Sequence, residues 1–228
     1  FKRVDEAEFN NNIYSQSYRG VDGMSFELTI EEGTYLVRLA RRAIETRLKT
    51  GEIVKAVDAA EKLKVPCGVF VTLNKVEARG HSLRGCIGFP LPVKPLAEAV
   101  VDSAISAAIN DPRFSPVSAR EMDAITIEVS VLTPPETIKV ERPDKYPEHI
   151  EVGRDGLIIR CGRYQGLLLP QVPVEWGWDA EEFLSQCCLK AWLTPDAWLM
   201  KETEVSKFQA IIFAEEIPRG TVREVHLD

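Results

Sequence analysis

The same order of elements occurs twice along this chain: a strand, a tight turn, a returning strand, a helix and a further strand. In the first stretch, about 67–133, an apolar strand over 68–73 precedes a polar turn and the segment L-R-G-C-I-G-F. In the second, about 151–215, a strand over 156–161 precedes the turn G-R-Y-Q-G and the segment G-L-L-L-P. Short turns between apolar strands predict hairpins, and the recurrence predicts an internal duplication. We therefore predict an α+β fold with a mostly antiparallel sheet, built from two related strand-hairpin-helix-strand halves with flanking helices.

Helices are predicted from their end signals. The segment 29–51 begins with the capping box Thr-Ile-Glu-Glu, continues with apolar residues at helical spacing and ends in glycine. The segment 95–109 is Ala-rich and amphipathic, and Asn-Asp-Pro follows it. A helix over about 179–192 begins with Asp at its cap. Ser118 and Glu121 form another capping box, which predicts a short helix.

Residues 29–228 are expected to form a single domain behind a loose N-terminal segment, 1–28, which is polar and rich in asparagine. The chain has 228 residues, enough for a sizeable core. Its first residues, Phe-Lys-Arg-Val-Asp-Glu, lack the apolar stretch that follows the cations of a secretory signal, so none is expected here.

The charge and hydropathy pattern narrows the choice of partners. The formal net charge is -7, whereas general nucleic-acid binding usually needs a cationic surface. No apolar run reaches the roughly 18–20 residues that a membrane helix needs. We therefore expect a small molecule or a protein as the partner, with neither a membrane nor general nucleic-acid binding. The oligomeric state is left open between monomer and dimer.

The cysteines indicate a reducing compartment. There are five, an odd number, without a secretory signal, which predicts reduced thiols in a cytoplasm. None stands in the C-x-x-C spacing typical of zinc sites, so no metal and no cofactor is predicted. The adjacent Cys187 and Cys188 are expected as small residues on a buried helix, with a strained vicinal disulfide as the alternative.

The segment L-R-G-C-I-G is the strongest candidate for chemistry. Side chains alternate between the two faces of a strand, which separates a polar set from an apolar set that predicts a core face. The polar set is Arg84, Cys86 and Gly88, and the apolar set is Leu83, Ile87 and Phe89. A guanidinium near a thiol favours the nucleophilic thiolate, and Gly85 allows the close approach of a ligand or another backbone. The alternative is a cysteine packed under a helix, with Arg84 paired to a carboxylate.

Two further segments carry candidate binding residues. Asp111 and Arg113 in D-P-R-F either end a helix or provide an anion-binding arginine beside a carboxylate. The segment 169–176 is predicted as extended and polyproline-like, so that Gln171 and Glu175 either line a cleft or belong to a rigid connection.

Three of these segments together resemble the AMMECR family, which is named for a human chromosomal region linked to Alport syndrome, midface hypoplasia and elliptocytosis. They are L-R-G-C-I-G at 83–88, D-P-R-F at 111–114 followed by Pro-Val, and G-L-L-L-P-Q-V-P at 166–173 before W-D-A-E-E-F-L. The resemblance covers about 30–215. It implies a single AMMECR-type domain without an established activity. The family's proposed roles include transcription, replication, repair and translation, and related prokaryotic domains are associated with Memo-like and radical-SAM proteins.

Two functional hypotheses follow. In the first, an enzyme-like pocket handles an anionic small molecule or a modified nucleotide or residue, and Cys86 contacts or attacks it. Its binding residues would be Arg84, Gly85, Asp111, Arg113, Gln171 and Glu175. In the second, the chain is a binding or scaffold module without chemistry, which docks a protein or nucleic-acid partner through an apolar patch containing Phe114, Trp176 and Trp178. Whether the chain is an enzyme is left open.

Overall fold

The computed structural model describes residues 27–78 and 80–226. The predicted N-terminal segment lies outside these residues except for Glu27 and Leu28, and Leu28 is buried in a core. The helices of the described part are α1 (Ile30–Thr50), α2 (Leu96–Ile109), α3 (Gln171–Trp176) and α4 (Ala180–Lys190). Its strands are β1 (Gly68–Glu77), β2 (Gly80–Phe89), β3 (Ile125–Leu132), β4 (Glu136–Thr137), β5 (Asp155–Cys161), β6 (Tyr164–Leu168), β7 (Thr203–Glu215) and β8 (Val222–Val225).

The described residues divide into two compact units. Unit A comprises 27–132 and 211–226, and unit B comprises 133–210, so that the division falls within strand β7. The grouping of 29–228 into a single domain stays a prediction. Among the described residues, no helix has the length and apolar character needed to cross a bilayer.

Unit A packs α1 and α2 on one face of its strands. The predicted capping box of α1 is confirmed: the Thr29 amide donates to the Glu32 carboxylate across 2.8 Å, and the Glu32 amide donates to the Thr29 hydroxyl across 3.3 Å. Gly51 ends the helix at φ 77, a conformation that glycine adopts without a Cβ penalty. Members of the core include Leu36, Leu39, Ile44, Val71, Val100 and Val129.

Strand β1 pairs antiparallel with β2 on one side and with β3 on the other. Along β1, Val69, Val71 and Leu73 are buried, whereas the alternate residues are partly exposed. Because the period of a strand is two, the helices cover one face of these strands and a more polar face lies opposite. Strand β8 pairs antiparallel with the end of β7.

Unit B repeats the arrangement of hairpin and helix. Strand β5 pairs antiparallel with β6 and β7, and β4 pairs antiparallel with β7. Helix α4 packs on the hairpin, and Cys187 and Cys188 are buried free thiols within its core, as the sequence predicted. The Asp179 side chain accepts a hydrogen bond from the Glu182 amide at the start of this helix. The predicted α+β class with a mostly antiparallel sheet is confirmed.

One predicted element is wrong. The segment 169–176 was expected to be extended, but residues 171–176 form the short helix α3. Pro170 and Pro173 are compatible with this helix because the first amides of a helix have no intrahelical partner, so a missing N–H removes no bond. Gly177 then ends the helix in the left-handed region at φ 66.

Candidate functional site

A β-bulge lies within L-R-G-C-I-G. Leu73 of β1 is opposite Gly85, whereas the next residue, Asn74, is opposite Leu83. Arg84 is therefore the additional residue of β2 that has no counterpart on β1. A bulge changes the direction of the side chains on either side of it, so strict alternation does not hold through Arg84.

Because of the bulge, the core face differs from the predicted one. Ile87 and Phe89 pack against the core, as expected, but Leu83 is 42% exposed, and its predicted core position is wrong. Gly85 lies on the side of helix α2. A Cβ at this position would lie 2.2 Å from the Ala107 carbonyl oxygen, so a side chain has no space here. The close approach expected at Gly85 is thus the approach of a helix backbone.

Cys86 lies on the more polar face of unit A. The Thr72 hydroxyl donates a hydrogen bond to Cys86 Sγ across 3.2 Å, and Thr72 is directly opposite both Cys86 on β2 and Glu128 on β3. All three residues are partly exposed. Cys86, Thr72 and Glu128 therefore form a row across three strands.

The Cys86 thiol is protonated at rest. Burial raises its pKa above the usual value, and the charges of Glu128 and Asp111 act in the same direction. The Thr72 hydrogen bond and the charge of Arg113 lower the pKa but do not offset burial. The expectation that a neighbouring guanidinium would favour the thiolate is wrong, because desolvation outweighs the cation. The cation that acts on this thiol is Arg113 rather than Arg84.

Asp111 and Arg113 form a rigid pair after the end of α2. Arg113 Nε and Nη2 donate to the two carboxylate oxygens of Asp111 across 3.0 and 2.7 Å, and its backbone amide donates across 3.1 Å. Asp111 is 1% exposed in its side chain, and Arg113 is 52% exposed. The Arg113 hydrogen bond, with smaller contributions from backbone amides, lowers the pKa of Asp111 to about 2. The carboxylate is therefore ionised at neutral pH and fixes the plane of the guanidinium.

This pair also binds the main chain of Cys86. The Cys86 amide donates to Asp111 Oδ2 across 2.9 Å, and the Cys86 carbonyl accepts from Arg113 Nη2 across 3.2 Å. These polar groups face away from β1 and would otherwise be unpaired at a strand edge. The D-P-R-F segment thus closes the edge of β2 at the residue that carries the thiol.

Arg84 is paired as well. Its Nε donates to Glu121 across 3.0 Å, and Glu121 also accepts from the Ser118 amide across 2.8 Å. The Phe114 ring centroid lies 5.9 Å from the Arg84 guanidinium and 5.4 Å from that of Arg113, within the range of cation–π attraction. The predicted short helix is a 3-10 helix, Glu121–Ala124.

Gln171 and Glu175 belong to unit B. Both lie on α3: Glu175 is exposed, and Gln171 is partly buried. Gln171 Oε1 is buried, with no hydrogen-bond partner among the described residues. On the same helix, Trp176 is 69% exposed and stacks on Trp178 with ring centroids 6.0 Å apart. Arg84, Gly85, Cys86, Asp111 and Arg113 come together in unit A, and their grouping with Gln171 and Glu175 stays a prediction.

Thr72 and Glu128 were missed at the level of sequence. Each is a polar residue flanked by apolar residues in a predicted strand, which is typical of any half-exposed strand. Only the register, which depends on the bulge, shows that they are in line with Cys86. In the part of the chain described, no group of three or more His, Cys, Asp or Glu side chains is placed to hold a metal ion.

Comparisons with known proteins bear on the family and the fold of this chain. The family described as AMMECR1 matches residues 37–213. Protein PYRAB00100 of Pyrococcus abyssi is 57% identical over 199 residues, 86% of this chain and 97% of the relative. Protein MK0488 of Methanopyrus kandleri is 54% identical over 202 residues, 88% of this chain and 97% of the relative. The crystal structure of uncharacterized protein PH0010 from Pyrococcus horikoshii has a TM-score of 0.80 at 56% identity, covering 86% of this chain and 98% of that chain.

Proposed function

Because this chain belongs to the AMMECR1 family, whose relatives above are named without an activity, we propose a function from the site itself: unit A binds an anionic small molecule beside Cys86. Arg113 is the anchor for the anion, and the neutral Cys86 thiol contacts the bound molecule. The ligand class is a carboxylate or phosphate, free or as part of a modified nucleotide or residue.

The observation that carries the proposal concerns the guanidinium of Arg113, which is fixed by hydrogen bonds and is nevertheless exposed. Its contacts with Asp111 and Cys86 use Nε and Nη2, and more than half of the side chain is exposed. A ligand can therefore reach Nη1 and the outer side of the group. An arginine whose plane is already fixed loses less conformational entropy when it binds a carboxylate or phosphate. Because Asp111 offsets part of the charge, we expect modest affinity.

Contact is favoured over nucleophilic attack because the thiol is protonated at rest. The Thr72 hydrogen bond and the charge of Arg113 both stabilise the thiolate and so favour catalysis, but burial outweighs them. We expect Cys86 to react with iodoacetamide at pH 7 more slowly than a free-cysteine peptide. A faster reaction would support a catalytic nucleophile instead.

The binding proposal is tested by protection of Cys86 from iodoacetamide, measured by mass spectrometry of its peptide. Propionate and inorganic phosphate are the probes, at ionic strength matched with chloride. Cys161 of unit B is also partly exposed and provides an internal reference for the reagent. We expect saturable protection of Cys86 that leaves the rate at Cys161 unchanged.

The matched variants are Arg113→Gln and Arg142→Gln. Arg142 pairs with Asp144 two residues away, as Arg113 does with Asp111, but both partners are exposed. Arg113→Gln should abolish protection, and Arg142→Gln should behave as the unchanged protein. Equal protection in Arg113→Gln, or no protection in the unchanged protein, would reject the site.

We also propose a cytoplasmic location. Its support is the odd number of cysteines, three of which are buried. Trapping of thiols in intact cells should label Cys86 with a membrane-permeant maleimide and leave it unlabelled with an impermeant one.

A further inference from the structure

The outer edge of strand β6 in unit B lacks the cover that closes the edge of β2. Among the described strands, β6 pairs with β5 alone. The two-residue turn of this hairpin makes Cys161 and Tyr164 a hydrogen-bonded pair, and such pairs alternate along an antiparallel ladder. Gln165 and Leu167 therefore direct their amide and carbonyl groups outward, away from β5.

These outward groups are unpaired among the described residues. The main chain of Gln165 and Leu167 makes no hydrogen bond outside the hairpin there, and both residues are partly exposed. In unit A, the outward amide of Cys86 is bound by Asp111. Strand β6 also has no proline, charged residue or bulge, the features that commonly keep other chains away from an edge. Main-chain pairing with a further strand is therefore available at β6.

Trp192 lies beside this edge in an unusual conformation. A Cβ on Gly166 of β6 would be 2.7 Å from the amide nitrogen of Ala191, so the end of α4 packs against this strand. The next residue, Trp192, has φ 61 and is 89% exposed. Helices α1 and α3 have glycine in the left-handed position that follows the helix, Gly51 and Gly177.

The end of α4 does not require the indole. The Trp192 amide donates to the Leu189 carbonyl and the Leu193 amide donates to the Cys188 carbonyl, each across 3.0 Å. Glycine would make the same bonds without the strain that a Cβ brings in the left-handed region. Strain that the local fold does not need indicates a use for the side chain, and an indole in solvent is available to a partner.

We propose that the edge of β6 binds an extended peptide segment of another protein, which adds a strand to β6 and packs a large apolar side chain against Trp192. Main-chain hydrogen bonds to Gln165 and Leu167 provide affinity, and the contact with the indole provides specificity. This interaction surface belongs to unit B and is independent of the anion site.

A bare peptide fits this edge, whereas a second copy of the chain does not. Adjacent strands are about 4.8 Å apart, but packed helices are about 8–10 Å apart. Because α4 contacts Gly166 of β6 itself, pairing of two β6 edges would bring two α4 helices closer together than helices pack. The edge is also short, since β6 has 5 residues, and a stable protein interface usually carries about ten hydrogen bonds. We therefore expect a short segment and modest affinity.

The test is an NMR titration with three capped pentapeptides. They are Ac-Thr-Val-Phe-Val-Thr-NH2, its analogue with Ser in place of Phe, and its analogue that is N-methylated at Phe and at both Val residues. The signals followed are the amides of Gln165 and Leu167 and the indole N–H of Trp192, with the Cys86 amide as the reference for a closed edge. The first peptide should shift the three signals of unit B saturably, with one midpoint, and leave Cys86 unchanged.

The two analogues separate the main-chain contribution from the aromatic one. The N-methylated peptide keeps every side chain but lacks the central main-chain donors, so it should not bind. The serine analogue keeps the donors but lacks the aromatic ring, so it should bind about tenfold more weakly than the first peptide.

Trp192→Gly distinguishes a binding role from a structural one. Because glycine adopts the left-handed conformation without strain, this variant should unfold at a higher urea concentration than the unchanged protein. It should also bind the first peptide about tenfold more weakly. Trp176→Ala is the matched control, since Trp176 is another exposed tryptophan of unit B, and it should keep the affinity of the unchanged protein.

Four results overturn the proposal: no saturable shift at Gln165 and Leu167 with the first peptide, equal binding of the N-methylated peptide, unchanged affinity in Trp192→Gly, or a lower urea midpoint in that variant. A reversible dimer in sedimentation equilibrium that Trp192→Gly dissociates would overturn the choice of a peptide in favour of a second copy. The anion site is tested separately, because its residues belong to unit A.

Discussion

The hairpins of units A and B share a glycine contact and differ in what surrounds it. In unit A, a Cβ on Gly85 would lie 2.2 Å from the Ala107 carbonyl oxygen of α2. In unit B, a Cβ on Gly166 would lie 2.5 Å from the Cys187 carbonyl oxygen of α4. Both glycines are on the returning strand of a hairpin, and the backbone of a later helix packs against each of them. Internal duplication stays a prediction, and this pair is what a duplication would leave.

The two hairpins differ in the bulge of β2 and in the D-P-R-F segment that binds this strand. The register of β5 and β6 is continuous through Gly166, whereas the bulge at Arg84 immediately precedes Gly85. Leu167 follows the glycine in unit B, but Cys86 follows it in unit A, where Asp111 binds the main chain. The shared glycine therefore belongs to the scaffold, and the bulge, the thiol and the D-P-R-F segment belong to the site.

The largest expected effect tests the shared scaffold. Gly85→Ala and Gly166→Ala each place a methyl group against helix backbone, which cannot move as a flexible side chain can. We expect each to cost about 3 kcal/mol of unfolding free energy or to prevent folding, measured by urea denaturation. Gly162→Ala is the control, because Gly162 has open space around it and only its φ of 58 opposes a side chain; it should cost about 1 kcal/mol. A small loss of unfolding free energy at either of these two glycines would show that the two hairpins do not share this contact.

The next effect concerns the D-P-R-F segment, which follows α2 in unit A. Asp111→Asn leaves the Arg113 guanidinium without its buried counter-charge and weakens the bond to the Cys86 amide. We expect a loss of about 2 kcal/mol in unfolding free energy, because the buried carboxylate accepts charge-assisted hydrogen bonds that the amide makes only in part. Asp144→Asn removes the exposed partner of Arg142 and should cost less than about 0.5 kcal/mol. Similar losses for the two variants would show that Asp111 is no more than a surface partner.

The same carboxyl group gives a pH dependence. The pKa of Asp111 is lowered to about 2 in the folded protein. Its contribution is therefore present above the ordinary aspartate pKa, near 4, and is lost as the pH falls through about 2. The unchanged protein should lose roughly 2 kcal/mol between these pH values that Asp111→Asn does not lose. Parallel stability curves for the two proteins would contradict the lowered pKa.

The smallest effect concerns the hydroxyl beside the thiol. Thr72→Val removes the hydrogen bond to Cys86 Sγ and raises the pKa of the thiol further, because that bond favours the thiolate. Alkylation of Cys86 at pH 7 should slow several-fold, with about 1 kcal/mol or less lost in stability. Cys161 serves again as the reference. An unchanged rate at Cys86 would remove Thr72 from the site.

Sequence patterns predicted the parts of this molecule that depend on local signals. The capping box at Thr29, the stop at Gly51 and the buried helix around Cys187 follow from short-range hydrogen bonds and helical periodicity. The sequence predicted that Cys86 and Asp111 belong to one site, but it did not predict the hydrogen bond between them, because this bond joins residues 25 positions apart in sequence.

The remaining features could not be predicted from the sequence, because they depend on the strand register, on where the prolines stand in a helix and on burial. One extra residue at Arg84 changes which side chains face the core, and no local signal identifies it. Helix α3 was missed because two prolines favour an extended segment, although both are tolerated at the start of a helix. The raised pKa of Cys86 depends on burial, which a neighbouring arginine in the sequence does not reveal.

The most direct test of the anion site is an NMR titration with propionate that follows the backbone amides of Cys86 and Leu167, which occupy corresponding places in the two hairpins. The Arg113 Nε–H signal is followed in the same spectra. We predict saturable shifts at Cys86 and Arg113 with the same midpoint, and none at Leu167. Shifts of equal size at Cys86 and Leu167, or no saturable shift at Arg113, would contradict a site confined to the bulged hairpin of unit A.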